Sequence, residues 1–148
     1  MATGEPAIAV TGLVKRFGEV TAVQGIDFTV EAGEIFGFLG PNGAGKSTTI
    51  GMLCTLLRPT AGSARVAGYD VVRERDDVRR NIGLVFQDPT LDGYLSGEQN
   101  LRFHAELYGV PRAALAGRMR QVLEMVGLWE RRRDKVNTYS GGMKRRLE

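Results

Sequence analysis

The chain has 148 residues, with 43% apolar side chains, 25% charged side chains and a formal net charge of +3. These values are those of an ordinary globular protein, and the length allows one domain or less. The single cysteine, Cys54, excludes an internal disulfide, and we expect a cytoplasmic protein because the sequence shows neither a membrane-spanning run nor a secretory leader.

Two short strands open the chain. Residues 7–13 and 26–30 alternate or run apolar, and turn signals lie at Gly18 and at residues 32–33. They predict a small antiparallel sheet. The next residues, 34–39, form an apolar run that predicts a short buried strand.

A glycine-rich loop follows that predicted strand. It fits G-x-x-x-x-G-K-[S/T], a pattern that binds the phosphate groups of nucleoside triphosphates. Its glycines let backbone N–H groups turn toward one phosphate, and Lys46 adds a charge that reaches the β- and γ-phosphates. Ser47 has a hydroxyl placed to bind Mg²⁺, and the following helix directs its positive end at the same anion. The predicted phosphate-binding residues are Gly40, Pro41, Asn42, Gly43, Ala44, Gly45, Lys46, Ser47 and Thr48.

After the loop we predict a helix from Lys46 to Leu57, stopped by Pro59, with apolar residues on one face. Residues 63–69 predict a further strand, and residues 82–86 predict a second buried strand that ends at Gln87. The apolar face of the helix consists of Ile50, Leu53, Cys54 and Leu57.

From residue 91 onward the pattern is helical. Ser96 and Gln99 form a capping box, and the helix that they open runs to about Tyr108. Pro111 begins a second helix at a position where proline is tolerated. The lone histidine, His104, has no second ligand or base in the sequence pattern, so we assign it a structural role. The apolar stripe of the second helix consists of Leu115, Met119, Val122, Leu123 and Val126.

A second candidate anion site lies near the end of the chain. Ser140, Gly141 and Gly142 open another helix, where a hydroxyl and free N–H groups point the same way and the helix dipole adds to their effect. Alone, this arrangement is also typical of an ordinary capped helix start. Together with the phosphate loop and Gln87, it indicates a second group of phosphate contacts.

In this order, the motifs resemble those of the ATP-binding subunits of ABC (ATP-binding cassette) transporters. Residues 40–48 resemble the Walker A motif, Gln87 resembles the Q-loop glutamine, and residues 139–143 resemble the signature motif. Phe17 resembles the aromatic residue that stacks on adenine. The residues around Gln87 and the signature are most similar to the daunorubicin-resistance type, which serves drug and multidrug exporters.

The resemblance implies an α/β fold of the ABC type of P-loop NTPase, with an antiparallel β subdomain, a RecA-like core and an α-helical subdomain. We expect residues 1–90 to form the β subdomain and phosphate-loop core, and residues 91–148 to form the helical subdomain. In the family, a strand with acidic metal- and water-positioning residues follows the signature helix. We therefore expect a fold that is incomplete at its C-terminal side, and a chain that binds ATP without hydrolysing it.

The resemblance also implies the roles of individual residues. Lys46, Gln87 and the signature residues Ser140, Gly141 and Gly142 act on the phosphates of ATP, while Ser47 and Gln87 hold Mg²⁺ and Phe17 contacts adenine. The implied partners are a second ATP-binding subunit, packed head to tail, and an integral membrane transporter subunit. We expect a peripheral position on the cytoplasmic face of the cell membrane and no nucleic-acid partner.

Three alternative functions stay open at this stage. A small-molecule kinase or GTPase shares the phosphate loop but does not account for Gln87 and the residues 140–142. An ABC-class ATPase outside transport, acting on DNA or ribosomes, fits the basic isoelectric point of about 9.3. A non-catalytic nucleotide-binding module fits a chain without the acidic residues. We interpret the basic runs 131–133 and 144–146 as solvated helix faces.

Overall fold

The structure is a computed structural model, and it describes residues 5–86 and 90–148. Gln87 therefore lies outside the described residues. The chain divides into two compact units, the first ending at Leu84 and the second running from Val85 to Glu148. Each unit has an apolar core of its own.

An antiparallel sheet is the base of the first unit. Its strands are β1 (Ile8–Phe17), β2 (Val20–Val30), β3 (Ala61–Val66) and β4 (Tyr69–Asp70), arranged in the order β2-β1-β3-β4. The antiparallel sheet expected from the first two apolar segments is confirmed. Both strands are longer than predicted, because β1 and β2 pair along a hairpin that turns at Gly18.

Residues 63–69 do not form one strand. The chain turns back at Ala67 and Gly68, whose φ angles are 51° and 83°. Two successive left-handed residues are typical of the two-residue hairpin turn that matches the twist of paired strands. The turn separates β3 from β4, so the prediction of a single strand was wrong.

The predicted buried strands at residues 34–39 and 82–86 are absent from the described structure. Ile35 and Leu39 are 100% and 93% exposed. An extended segment becomes a strand only when a neighbouring strand satisfies its N–H and C=O groups, and no strand of the described sheet pairs with residues 34–39. This segment is instead fixed by aromatic contacts, since the rings of Phe36 and Phe38 pack 5.5 and 5.6 Å from the ring of Phe28.

The helix after the phosphate loop, α1, spans Lys46–Leu53 and is shorter than predicted. It ends because Thr55 adopts a left-handed φ of 61°. The Thr55 carbonyl and hydroxyl accept hydrogen bonds from Arg75 and Arg79 of α2 (Arg75–Asn81). The predicted apolar face was also wrong in part, because Ile50 is 44% exposed. The residues of α1 that are buried are Thr49, Gly51 and Met52.

The second unit is helical, as the pattern after residue 91 predicts. It contains α3 (Gly97–Leu107), α4 (Arg112–Met125), a short 3₁₀ turn at Val136–Thr138 and α5 (Gly141–Leu147). The capping box is confirmed, with Ser96 Oγ accepting from Gln99 N and Gln99 Oε1 accepting from Ser96 N. The buried residues of α4 are Leu115, Met119 and Leu123.

The described residues contain no helix that is long and apolar enough to cross a membrane. Most residues of the basic runs are exposed, as expected, but residues 131–133 lie in a turn and not on a helix face. Arg132 donates to the Trp129 carbonyl at 2.8 Å and its guanidinium lies 3.8 Å from the centre of the Trp129 ring, while Arg146 donates to Val126 O at the end of α4. These arginines stabilise helix ends and loops within their own unit.

Candidate functional site

The phosphate loop is held against strand β2 by Gly45. This residue is the N-cap of α1 and has a left-handed conformation, with φ of 80° and ψ of 8°. A Cβ atom at this position would lie 2.3 Å from the carbonyl oxygen of Ala22 and 3.0 Å from Cγ2 of Val23. Only glycine allows both the backbone angle and this close approach. The second glycine of the sequence pattern therefore fixes where the loop meets the sheet.

The start of α1 is suited to an external anion. The first N–H groups of any helix have no intrahelical acceptor and need another partner. At α1 no side chain caps these groups and the first turn has no acidic residue, whereas the start of α3 has a capping box and Glu98 in its first turn. The positive end of α1 is thus left to a ligand, and that of α3 is satisfied by its own side chains.

Lys46 and Ser47 stand at this helix start. The Lys46 ammonium donates to the carbonyl oxygens of Gly40 and Pro41, both at 2.6 Å, so the side chain lies along the loop. Ser47, one residue further, is exposed. An uncapped helix start, an ammonium group and an exposed hydroxyl together fit a triphosphate with Mg²⁺, because Mg²⁺ binds to phosphate oxygens and few protein oxygens. The described residues hold no group of three or more His, Cys, Asp or Glu side chains that could bind a metal by themselves.

A cleft of about 350 Å³ lies between β2 and the loop. Thr21, Ala22 and Gln24 line one side of it, and Gly43 and Ala44 of the loop line the other. Sequence reasoning did not single out these β2 residues. The only signal available was the position of residues 20–24 just before the predicted strand at residues 26–30.

Phe17 lies at the end of β1, beside the hairpin turn. Its ring is 49% exposed, and the Lys15 ammonium lies 4.9 Å from the ring centre while donating to Arg58 O at 2.8 Å. Phe17 thus occupies the same unit as the phosphate loop and offers ring surface to a ligand. Its role in binding adenine stays a prediction.

Replacing Phe17 by alanine tests that role. Because stacking of a base on an aromatic ring contributes about 1–3 kcal/mol, we expect the dissociation constant for ATP to rise roughly 5- to 150-fold. Phe17→Tyr keeps the ring face and should bind as the parent does. Isothermal titration of ATP measures both, with Val20→Ala as the control for loss of an exposed apolar side chain on the same turn. Equal affinity in Phe17→Ala and the parent would exclude stacking.

In the second unit, Ser140 is the N-cap of α5, and its Oγ accepts a hydrogen bond from Met143 N at 3.2 Å. The hydroxyl proton is therefore free to be donated to another acceptor. Gly141 and Gly142 are exposed, so their backbone is accessible. This is the arrangement that the sequence predicts for the signature residues, and their contact with phosphate stays a prediction.

Tyr139 positions this helix start, a role that sequence reasoning missed. It is buried, and its hydroxyl donates to Arg131 O at 2.6 Å. A Cβ on Gly97 would lie 2.5 Å from the Tyr139 hydroxyl, so α3 begins with a residue that leaves room for it. Burial, with a smaller effect of nearby Asp134, raises the pKa of Tyr139, which keeps the phenol a neutral donor. The residue before Ser140 is thus fixed to two other segments of its unit.

The site residues predicted from sequence therefore fall into two groups. The phosphate loop and Phe17 belong to the first unit, and Ser140, Gly141 and Gly142 belong to the second. Gln87 belongs to neither group because it lies outside the described residues.

Comparison with known proteins identifies the class. The family model described as ABC transporter matches residues 23–148, and the chain belongs to this family. The α/β fold expected from the sequence motifs is confirmed by solved structures. One, described as the structure of the ATP binding subunit of an ABC transporter, has a TM-score of 0.80 and 29% identity, covering 95% of this chain and 59% of its own. Another is cbiO1 from Clostridium perfringens, part of the ABC transporter complex cbiONQ. It has a TM-score of 0.84 and 27% identity, and the match covers 97% of this chain and 59% of cbiO1.

Curated relatives indicate the subgroup. The doxorubicin resistance ATP-binding protein DrrA of Mycobacterium tuberculosis (strain ATCC 25618 / H37Rv) is 44% identical over 150 residues, which is 100% of this chain and 45% of the relative. The daunorubicin/doxorubicin resistance ATP-binding protein DrrA of Streptomyces peucetius is 48% identical, covering 96% of this chain and 43% of its own. The linearmycin resistance ATP-binding protein LnrL of Bacillus subtilis (strain 168) is 45% identical, and the match covers 90% of this chain and 43% of LnrL. The chain spans about half the length of these relatives.

Proposed function

We propose that this chain is the ATP-binding part of an ABC transporter subunit, in which ATP binding and hydrolysis are coupled to the export of a drug or another small molecule. The observation that supports this most directly is the uncapped start of α1 behind Gly45, with Lys46 and Ser47 on its first turn. The relatives named for resistance to doxorubicin, daunorubicin and linearmycin support the choice of a drug as substrate.

Binding of ATP follows from the first unit. The loop N–H groups and the dipole of α1 hold the β- and γ-phosphates, and Lys46 turns from the carbonyls of Gly40 and Pro41 toward the phosphate oxygens. Ser47 supplies one oxygen ligand to Mg²⁺, whose charge offsets that of the phosphates. The Phe17 ring stacks on adenine. Together these contacts orient the γ-phosphate at the open side of the loop.

The signature residues act on a second nucleotide. Ser140 donates its hydroxyl, and Gly141 and Gly142 donate backbone N–H groups, to the γ-phosphate held by a partner ATP-binding subunit that packs head to tail. Gln87 contacts the γ-phosphate and Mg²⁺. ATP then stabilises the pair of subunits, and hydrolysis in the full-length protein allows them to separate.

The export step requires an integral membrane partner. We propose that the full-length protein binds such a subunit on the cytoplasmic face of the cell membrane, and that the segment containing Gln87 conveys the nucleotide state to it. The complex of which cbiO1 is a part supports this kind of assembly.

Lys46→Met tests the proposed function. In the full-length protein, loss of a charged donor to phosphate should weaken ATP binding roughly 10- to 150-fold, because a hydrogen bond to a charged group contributes about 1.5–3 kcal/mol. Cells that express the variant with the membrane subunit should lose export of doxorubicin, measured as accumulation of the fluorescent drug. Lys135→Met, a change of the same type at an exposed lysine of the second unit, is the matched control. Export at the parental rate by Lys46→Met would refute the proposal.

A further inference from the structure

The C-terminal end of α5 is attached to the chain on both sides of residues 87–89. Arg145 Nη1 donates to the carbonyl oxygen of Phe86, and Glu148 Oε1 accepts from Thr90 N at 2.6 Å and from Thr90 Oγ1 at 3.3 Å. All four residues belong to the second unit. One helix end thus contacts the two residues that flank residues 87–89 in the sequence.

The two attachments form one network. Arg145 Nη1, which binds Phe86 O, also lies 3.5 Å from Glu148 Oε2. The Glu148 side chain is only 4% exposed, and within the described residues Oε2 makes no hydrogen bond. A buried carboxylate needs a compensating charge, so Arg145 stabilises the ion on which Thr90 depends. Removing either side chain should therefore loosen both attachments.

The same helix carries the signature residues at its other end. Ser140 caps α5 through Met143 N, and α5 continues without a break to Leu147. A helix this short moves as a rigid rod, so a displacement at Ser140 also displaces Arg145 and Glu148. Their hydrogen bonds transfer that displacement to the backbone of Phe86 and Thr90.

We propose that Arg145 and Glu148 are positioning residues that couple the signature helix to the chain on either side of residues 87–89. The functional part of this inference rests on the proposed phosphate contact of Ser140. If Ser140 contacts phosphate, binding of a nucleotide at the signature changes the position of Phe86 and Thr90. A change in the position of Phe86 and Thr90 in turn changes nucleotide binding at the signature.

Amide hydrogen exchange in the full-length protein tests the attachment without any nucleotide. In Glu148→Ala the amide of Thr90 should exchange about 10- to 100-fold faster, since it loses an acceptor that carries a charge. Arg145→Ala should accelerate the same amide at least about threefold through the destabilised carboxylate. Glu148→Gln keeps an oxygen acceptor for Thr90 N–H and should stay within about threefold of the parent.

Matched controls come from the loop that precedes Val136. Glu130 and Arg133 are exposed, and within the described ranges neither forms an ion pair. Alanine at either position should leave the exchange of Thr90 unchanged. An unchanged Thr90 amide in Glu148→Ala would overturn the proposal.

If the alanine variants fail to fold, the attachment of Thr90 to Glu148 can still be tested in the unmodified protein. In selectively labelled protein, a scalar coupling across the hydrogen bond between the Thr90 nitrogen and the Glu148 carboxyl carbon is expected, and its absence would overturn the attachment.

Export assays distinguish a failure of the proposed coupling from a failure of the proposed function. Glu148→Ala and Arg145→Ala should lower export at least about fivefold while ATP affinity stays within twofold, and Glu148→Gln should restore most of the export. Parental export in both alanine variants, with Thr90 exchange accelerated, would overturn the coupling. If instead a bulky residue at Ser140 leaves export intact, the signature contact is wrong, and the exchange result still decides the attachment.

Discussion

Gly45→Ala should remove ATP binding almost completely. The new Cβ would lie 2.3 Å from Ala22 O, a distance at which backbone or loop must move, and the φ of 80° is itself unfavourable for alanine by about 1–2 kcal/mol. Because the loop N–H groups and Lys46 bind phosphate as one set, a shift of the loop weakens all of these contacts together. We expect ATP affinity to fall at least about a hundredfold, measured by titration calorimetry.

Gly33→Ala is the matched control for this change. Gly33 has a nearly identical φ of 84°, but a Cβ there would have no neighbour within 4 Å. It should therefore show the backbone strain alone, about 1–2 kcal/mol in urea unfolding, with parental ATP affinity. If both variants bind ATP equally well, the contact with Ala22 does not position the loop.

Ser140→Arg is the second large effect. It removes the cap of Met143 N and places a guanidinium where the proposed partner nucleotide binds, while the phosphate loop in the other unit keeps its own residues. We expect export to be abolished in the full-length protein and its membrane subunit, with ATP affinity unchanged. Drug accumulation and ATP titration on the same preparation measure the two quantities.

Two variants separate the causes of that loss. Ser140→Ala removes the cap, which contributes about 1 kcal/mol, and the hydroxyl donor, but it adds no guanidinium and keeps the N–H groups of Gly141 and Gly142, so it should leave part of the export activity. Glu130→Arg adds the same guanidinium at an exposed position of the second unit and should export normally. Unchanged export by Ser140→Arg would count against a nucleotide shared between two subunits.

Features set by neighbours in the chain were predictable from the sequence. The capping box of Ser96 and Gln99 needs only residues three positions apart, and the N-cap role of Ser140 depends on Met143 alone. The position of the phosphate loop was predictable for the same reason. Glycine is the residue that adopts a left-handed φ and lets the backbone approach β2 without a side chain, and both hold at Gly45. Local hydrogen bonding and backbone sterics decide such features.

Features set by partners that are distant in the chain were not predictable from the sequence. The run at residues 34–39 is as apolar as a buried strand, yet whether it pairs depends on neighbouring strands that its own pattern does not reveal. The hydrogen bonds of Tyr139 to Arg131, and of Arg145 to Phe86, join residues 8 and 59 positions apart that belong to different segments of the chain. Thr55 shows the same limit, since its left-handed conformation is supported by arginines of another helix.

The contact of Gly45 with Ala22 and Val23 has a consequence for the order of folding during synthesis. In the first unit, the described contacts that hold the phosphate loop and α1 come from the pairing of β1 with β2 and β3 and from core residues as far along the chain as Val78. Since nascent chains fold from the N-terminus as they emerge, the loop can reach its final position before the residues of α5 have been translated. On a ribosome stalled after this part of the chain has emerged, the loop should already lie on its sheet. The capacity to bind a phosphate group therefore arises during synthesis before the signature helix is made.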